Sequence, residues 1–305
     1  MFIAGVVATF TWSATPARAG ELLVTNFFGD SVTRYDLPSG SPLAPLQGGV
    51  GLDGALCTRI GPDGLLYVAS EASNTVQRYN LQTGAFIDNF VTPGNGLGGP
   101  SGLTWGPDGD LFVSSFNNDR VLRYDGATGV FESTFVGTGL GTLDGPDNGT
   151  IFGPDGNLYV PSYNNNKILR YDGSTGAFID EFVAQIGRPR VLIFRGDDLL
   201  VTTERGDAVR RYDADTGSLL GNFVAQGSGG LDAPVGMAFG DDGFMYVSSA
   251  TSNSVLRYDA TSGAFVDTLA SNLGGPVFLT YVPEPTSATL FIMLVMTRCL
   301  NLARR

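Results

Sequence analysis

An Arg-Tyr pair recurs six times along the 305-residue chain, at Arg34-Tyr35, Arg78-Tyr79, Arg123-Tyr124, Arg170-Tyr171, Arg211-Tyr212 and Arg257-Tyr258. Successive pairs are separated by 44, 45, 47, 41 and 46 residues. A period in the forties restricts the chain to repeat architectures in which each unit buries its apolar face against the next. The text around each pair decides which one.

Each copy reads as four short strands. The first is an apolar run such as Gly102–Trp105 or Gly236–Phe239, with a proline five residues before its closing aromatic: Pro100/Trp105, Pro189/Phe194, Pro234/Phe239 and Pro276/Tyr281. Proline at a strand's first position removes no ladder donor from its middle. Glycine turns follow at Gly61–Gly64, Gly106–Gly109, Gly153–Gly156 and Gly240–Gly243, leading into second strands Leu65–Val68, Leu111–Val113, Leu158–Val160 and Phe244–Val247. Proline presets φ in such turns, aspartate bonds the local backbone and glycine takes the unusual dihedral. The third strand carries the Arg-Tyr pair and ends in Asp-x-x-Thr-Gly turns, as at Asp125–Gly129, Asp172–Gly176 and Asp213–Gly217. An alternating outer strand, Ala85–Val91 and its relatives, completes the unit.

The phase of the repeat also predicts closure. Residues 22–47 supply strands two to four without a first, and Val277–Tyr281 is a first strand without followers. Joined, they make a sixth unit from both chain ends and leave no open edge. The fold class is therefore all-β: a six-bladed β-propeller with four-stranded blades, its ring closed by a C-terminal innermost strand on the N-terminal blade.

Composition excludes several functions. Glycine is 43 of 305 residues, which suits the many tight turns. A formal charge of −12 repels phosphate backbones, so nucleic acid is not expected as a partner. Histidine is absent, which removes a Ser-His-Asp triad, imidazole-ligated zinc or copper, and a histidine general base. Of two cysteines, Cys57 and Cys299, the second falls in the C-terminal tail, so no internal disulfide is expected to support the core.

The ends read as addresses. Residues 1–19 begin apolar and finish in Ala17-Arg18-Ala19, a small-x-small cleavage site before Gly20, and are expected to be a signal peptide. The propeller is expected over residues 20–282. Residues 283–305 open with Pro283-Glu284-Pro285, continue through the apolar Ala288–Met296 and end in Arg304-Arg305. This tail resembles the PEP-CTERM sorting signal of Gram-negative bacteria. The resemblance implies recognition by an exosortase at the inner membrane, contact with the membrane only through the tail, and delivery to the surface or extracellular matrix.

Residues 21–282 resemble NHL-type and SMP-30/gluconolactonase-like six-bladed propellers, a group that includes virginiamycin B lyase. That scaffold hosts many unrelated sites. Features shared by all six copies, the Arg-Tyr pair above all, obey the ring's symmetry and are assigned to packing. A site is expected where the copies differ, in the loops after the second and fourth strands around the mouth of the channel. The candidates there are Asn117, Asn118, Asp119, Asn164, Asn165, Arg188, Arg190, Glu204 and Arg205, the arginines suited to an anionic ligand such as an acidic polysaccharide. The expected function is a non-catalytic binding module for an extracellular polysaccharide or protein, with no cofactor. The alternative implied by the SMP-30 resemblance is a lactonase using calcium or another divalent cation on oxygen ligands, for which Glu71, Asn148 and Glu204 are the candidates, with Asp147, Asn117 and Asn164 also in reach by loop position.

Overall fold

A computed structural model describes residues 20–47 and 51–284. It contains six four-stranded antiparallel sheets. Blade one joins Pro276–Val282, the innermost strand, to Glu21–Asn26, Ser31–Asp36 and Pro42–Leu43. Blade two is Ala55–Ile60, Leu66–Ser70, Thr75–Tyr79 and Phe86–Val91. Blade three is Pro100–Trp105, Leu111–Ser115, Arg120–Tyr124 and Phe131–Val136. Blade four is Ile151–Phe152, Leu158–Ser162, Lys167–Tyr171 and Phe178–Val183. Blade five is Pro189–Arg195, Asp198–Thr203, Ala208–Asp213 and Leu219–Val224, and blade six is Pro234–Phe239, Phe244–Ser249, Ser254–Asp259 and Phe265–Ala270.

The ring closes as the repeat phase requires, with Leu22 opposite Tyr281, Leu23 opposite Thr280 and Val24 opposite Leu279. The expected leader and most of the expected tail, Pro285 included, lie outside the described residues. Second strands run two residues beyond the apolar runs seen in sequence, into the buried Ser70, Ser115, Ser162 and Ser249. Each of these hydroxyls accepts a backbone N–H from the connection entering its blade, at 2.9 Å from Asp53, Gly98, Asp144 and Asp232. A polar residue with its partner in place can end a buried strand without penalty.

The repeated residues hold the blades together. Each Arg of the six pairs meets a carboxylate of its own blade: Glu21, Asp88, Asp110, Asp180, Asp198 and Asp267 in order. Each tyrosine is buried, and in four blades it meets an outer-strand phenylalanine edge to face, as Tyr171 meets Phe178 with centroids 5.8 Å apart.

A second six-fold device links neighbours. Four residues past each second strand stands Asp30, Asn74, Asp119, Asn166, Asp207 or Asn253, all with left-handed φ between 43° and 61°. The side-chain Oδ1 of each accepts a backbone N–H at the start of the next blade, from Gly54, Gly99, Gly145, Arg188, Ala233 and Gly275 at 2.7–3.0 Å. Asx residues tolerate that dihedral, which leaves the side chain free to act as the clasp.

The Asp-x-x-Thr-Gly turns close on themselves: Asp172 Oδ1 accepts from Thr175 N at 2.8 Å, Thr175 Oγ1 at 2.8 Å and Ser174 N at 3.1 Å. These bonds hold the Asp172 carboxyl below its ordinary value, as their equivalents do for Asp125, Asp213 and Asp259. A depressed folded value gives stability that is present above the unfolded carboxylate range, near about 3.9, and lost as pH falls through the folded value. Asp172→Asn keeps the geometry, since Asn80 occupies the same place in blade two with the same bonds to Thr83. The variant is expected to be less stable than the wild type at pH 7, with the gap closing in acid below about pH 3.9. Denaturant midpoints across pH test this, and a gap independent of pH would refute it.

Candidate functional site

Two positions per blade build the mouth of the channel. The first is the residue directly after each second strand: Phe27, Glu71, Phe116, Tyr163, Glu204 and Ala250 in blades one to six. The second is the next residue after the start of each inner strand: Val277, Leu56, Ser101, Arg190 and Val235 in the regular blades. All of these except Ser101 line one cavity of about 270 Å³, together with Phe28 and Asp147.

Blade four breaks the pattern. Pro146 pairs with Ser162 as Pro100 pairs with Ser115, but Ile151 then faces Tyr159, so one extra residue lies between the proline and the ladder. The inner strand shortens to Ile151–Phe152, and the diverted backbone sets Asp147 in the cavity wall. Asp147 is 1% exposed. Asn148 is fully buried, and among the described residues neither atom of its side-chain amide has a hydrogen-bond partner.

The mouth has two unlike sides. Blades six, one and two contribute Val235, Val277 and Leu56, which pack together with Phe27 and Ala250. Blades four and five contribute an ion-pair lattice. Arg190 Nη1 donates to Asp147 Oδ2 at 2.6 Å, and its Nε lies 3.7 Å from Glu204 Oε2. Arg188 Nη1 donates to Glu204 Oε1 at 2.8 Å, and Tyr163 Oη donates to the same oxygen at 2.8 Å. Both guanidiniums lie over the Tyr163 ring, 4.8 and 4.9 Å from its centroid. Arg188 holds this place at φ 52°, in a position where four of the other blades use glycine (Gly54, Gly99, Gly145 and Gly275) and one uses alanine (Ala233).

Burial pushes the Asp147 carboxyl up, while Arg190 and the Asn148 N–H pull it back. Burial likewise pushes Glu71 up, reinforced by the charge on Asp147 and opposed by Arg190. The Tyr163 hydroxyl is raised to about 12 by burial and by its bond to Glu204.

The candidates named from sequence separate into three groups. Arg188, Arg190, Glu204 and Glu71 converge on the mouth with Asp147. Arg205 instead lines an outer groove with Lys167 and Glu181, so the three arginines do not form one anion site. The Asn-rich loops are fasteners. Asn118 Nδ2 donates to Gly96 O at 2.7 Å, Asp119 Oδ1 is the clasp on Gly145, Asn164 Nδ2 donates to Asp144 Oδ1 at 2.8 Å and Asn165 Nδ2 donates to Thr142 O. The side chain of Asn117 lies against Gly99. Sequence reasoning passed over Phe27, Phe28, Phe116 and Tyr163. One signal was present: the spacing Pro146/Phe152 is six where the other blades keep five.

The donor set does not fit a resident divalent cation on Glu71, Asn148 and Glu204. Both Glu204 oxygens are already bonded by Tyr163, and Arg190 places a guanidinium between Asp147 and Glu204, where it repels a metal. Among the described residues, the three acids whose oxygens gather within 4.8 Å are Asp110, Asp125 and Glu132, and Arg123 neutralises two of them.

No protein-family model and no curated protein matches the sequence. Solved structures do match. A chain of a nidogen/laminin complex is 18% identical, with a TM-score of 0.67 over 86% of this chain and 98% of that one. The likeness is one of fold. A streptogramin B lyase is 16% identical, with a TM-score of 0.63 over 87% of each chain. A catalytically inactive virginiamycin B lyase from Staphylococcus aureus, crystallised with quinupristin, is 16% identical, with a TM-score of 0.57 over 88% of this chain and 82% of that one. The inactive lyase carries alanine in place of a histidine, a residue type this chain lacks.

Proposed function

We propose that this propeller is a non-catalytic binding module that takes its ligand at the channel mouth. The carrying observation is the state of the charged groups there. Asp147 is held by Arg190, and Glu204 by Tyr163 and Arg188, so both acids are committed to shaping the cavity, and Glu71 stands in its wall as a lone carboxylate outside that lattice. The unlike walls, one apolar and one ionic, suit recognition of a ligand with two unlike ends. The nidogen/laminin complex supports the reading to the extent that a propeller of this shape occurs in a binding assembly.

Its place of work, on this proposal, is outside the cytoplasm of a Gram-negative bacterium. Support comes from the leader-like residues 1–19 and from the PEP-CTERM-like tail beginning Pro283-Glu284-Pro285, which an exosortase would process. Purified protein, assayed with lactones and aryl esters in the presence of calcium, magnesium, manganese or zinc, is expected to show no turnover beyond metal alone. Metal-dependent turnover that Glu204→Gln abolishes would overturn the proposal in favour of an SMP-30-like lactonase.

A further inference from the structure

Pairing off the charges at the mouth leaves one remainder. Asp147 is matched by Arg190 and Glu204 by Arg188, and no hydrogen bond or ion pair with a described residue reaches the Glu71 carboxylate. Glu71 nevertheless lies in the cavity wall beside aromatic and aliphatic groups. A β-carbon built on Gly54 would touch both the Phe27 ring, at 3.1 Å, and Glu71 Cβ, at 3.4 Å, so the ring and the Glu71 side chain flank that glycine. Phe27 stands edge to face with Phe28, 5.2 Å between centroids, and Phe28 is 83% exposed at the rim. Its ring lies across Gly275, a close approach that only a residue without a β-carbon permits.

We propose that the mouth binds a small organic ammonium ion with an apolar body, its charged end on Glu71 and Phe27 and its body against Phe28, Phe116, Leu56 and Val277. The proposal rests on the reading of the mouth as a binding site and names the ligand class.

Three physical points select this class. An unmatched carboxylate half withdrawn from water gains most from a cation, and its carboxyl is already raised by burial and by Asp147. The Phe27 and Phe28 rings line the same cavity as that carboxylate, and aromatic rings attract organic ammonium ions. Calcium and magnesium demand several oxygen ligands, whereas this wall offers one free carboxylate among hydrocarbon. An anionic ligand would have to displace Asp147 or Glu204 from its arginine. The overall charge of −12 also draws cations toward the protein.

Calorimetric titration with phenethylammonium, phenethyl alcohol and phenylacetate separates charge from shape. The ammonium is expected to bind at least about tenfold tighter than the alcohol, and phenylacetate weakest of the three. Glu71→Gln, at a solvent-accessible position, is expected to bring the ammonium down to about the alcohol's affinity. Phe28→Ala is expected to weaken ammonium and alcohol alike. An ammonium that binds no tighter than the alcohol, or a preference that survives Glu71→Gln, overturns the cation assignment. Tightest binding by phenylacetate overturns it too but keeps the mouth as a binding site, whereas metal-dependent turnover defeats the binding-module reading itself.

Discussion

Replacing Arg190 with methionine is expected to cost about 3–5 kcal/mol of stability at pH 7, because it leaves a buried charge without its partner. Asp147 is 1% exposed and receives Arg190 Nη1 at 2.6 Å. Methionine fills much of the volume of the arginine stem, so the loss measures charge more than packing. Glu204 keeps Tyr163 and Arg188, which confines the damage to Asp147. The pH dependence gives the result its signature. Without Arg190 the Asp147 carboxyl, already raised by burial, rises further. A carboxyl whose folded value lies above its unfolded value costs stability as pH climbs from the unfolded range, near about 3.9, toward the folded value. The gap between variant and wild type should therefore narrow as pH falls toward about 4. Denaturant midpoints at pH 4 to 8 decide the matter: a loss under about 1 kcal/mol at pH 7, or a gap that widens in acid, refutes the assignment of Arg190 as internal counter-ion.

Gly176→Ala is expected to cost about 2–4 kcal/mol, from two sources that a control separates. Gly176 sits at φ 72°, and a β-carbon there would stand 2.0 Å from Phe135 O on the neighbouring blade. Gly129, Gly217 and Gly263 repeat the approach against Phe90, Phe182 and Phe223 at 2.1, 2.2 and 1.9 Å. Gly196 has a similar φ of 59° with nothing within 4 Å. Gly196→Ala then reports the dihedral alone, about 1–2 kcal/mol, and the excess at Gly176 reports the closeness of the blades. Equal losses at the two sites would show that these glycines serve only their own turns.

The sequence was explicit wherever a residue's job is local or repeated. Glycine turns, prolines at strand starts and a period in the forties fixed the blade, and a missing first strand at one end with a spare one at the other implied how the ring closes. Loop position was also sufficient to place Glu71, Arg188, Arg190 and Glu204 around the mouth of the channel. The Asn-rich loops show a structural use that the sequence does not spell out, since an Asx residue that tolerates a left-handed φ can also bond the backbone of a neighbour. Its side chain here is spent on the next blade, as Asn166 shows in bonding Arg188 N at 3.0 Å.

What the tertiary structure decided was which unlike residues meet. Phe27, Glu71, Phe116, Tyr163, Glu204 and Ala250 occupy one position in six different copies, so their differences read as noise along the chain and as a shaped wall around the ring. The pairing of Arg190 with Asp147 spans 43 positions, and a single inserted residue in blade four turned Asp147 toward it. Periodicity is written in the neighbours of each residue and can be read one repeat at a time. A site formed on the symmetry axis depends on distances across all six blades, and those exist only once the ring is closed.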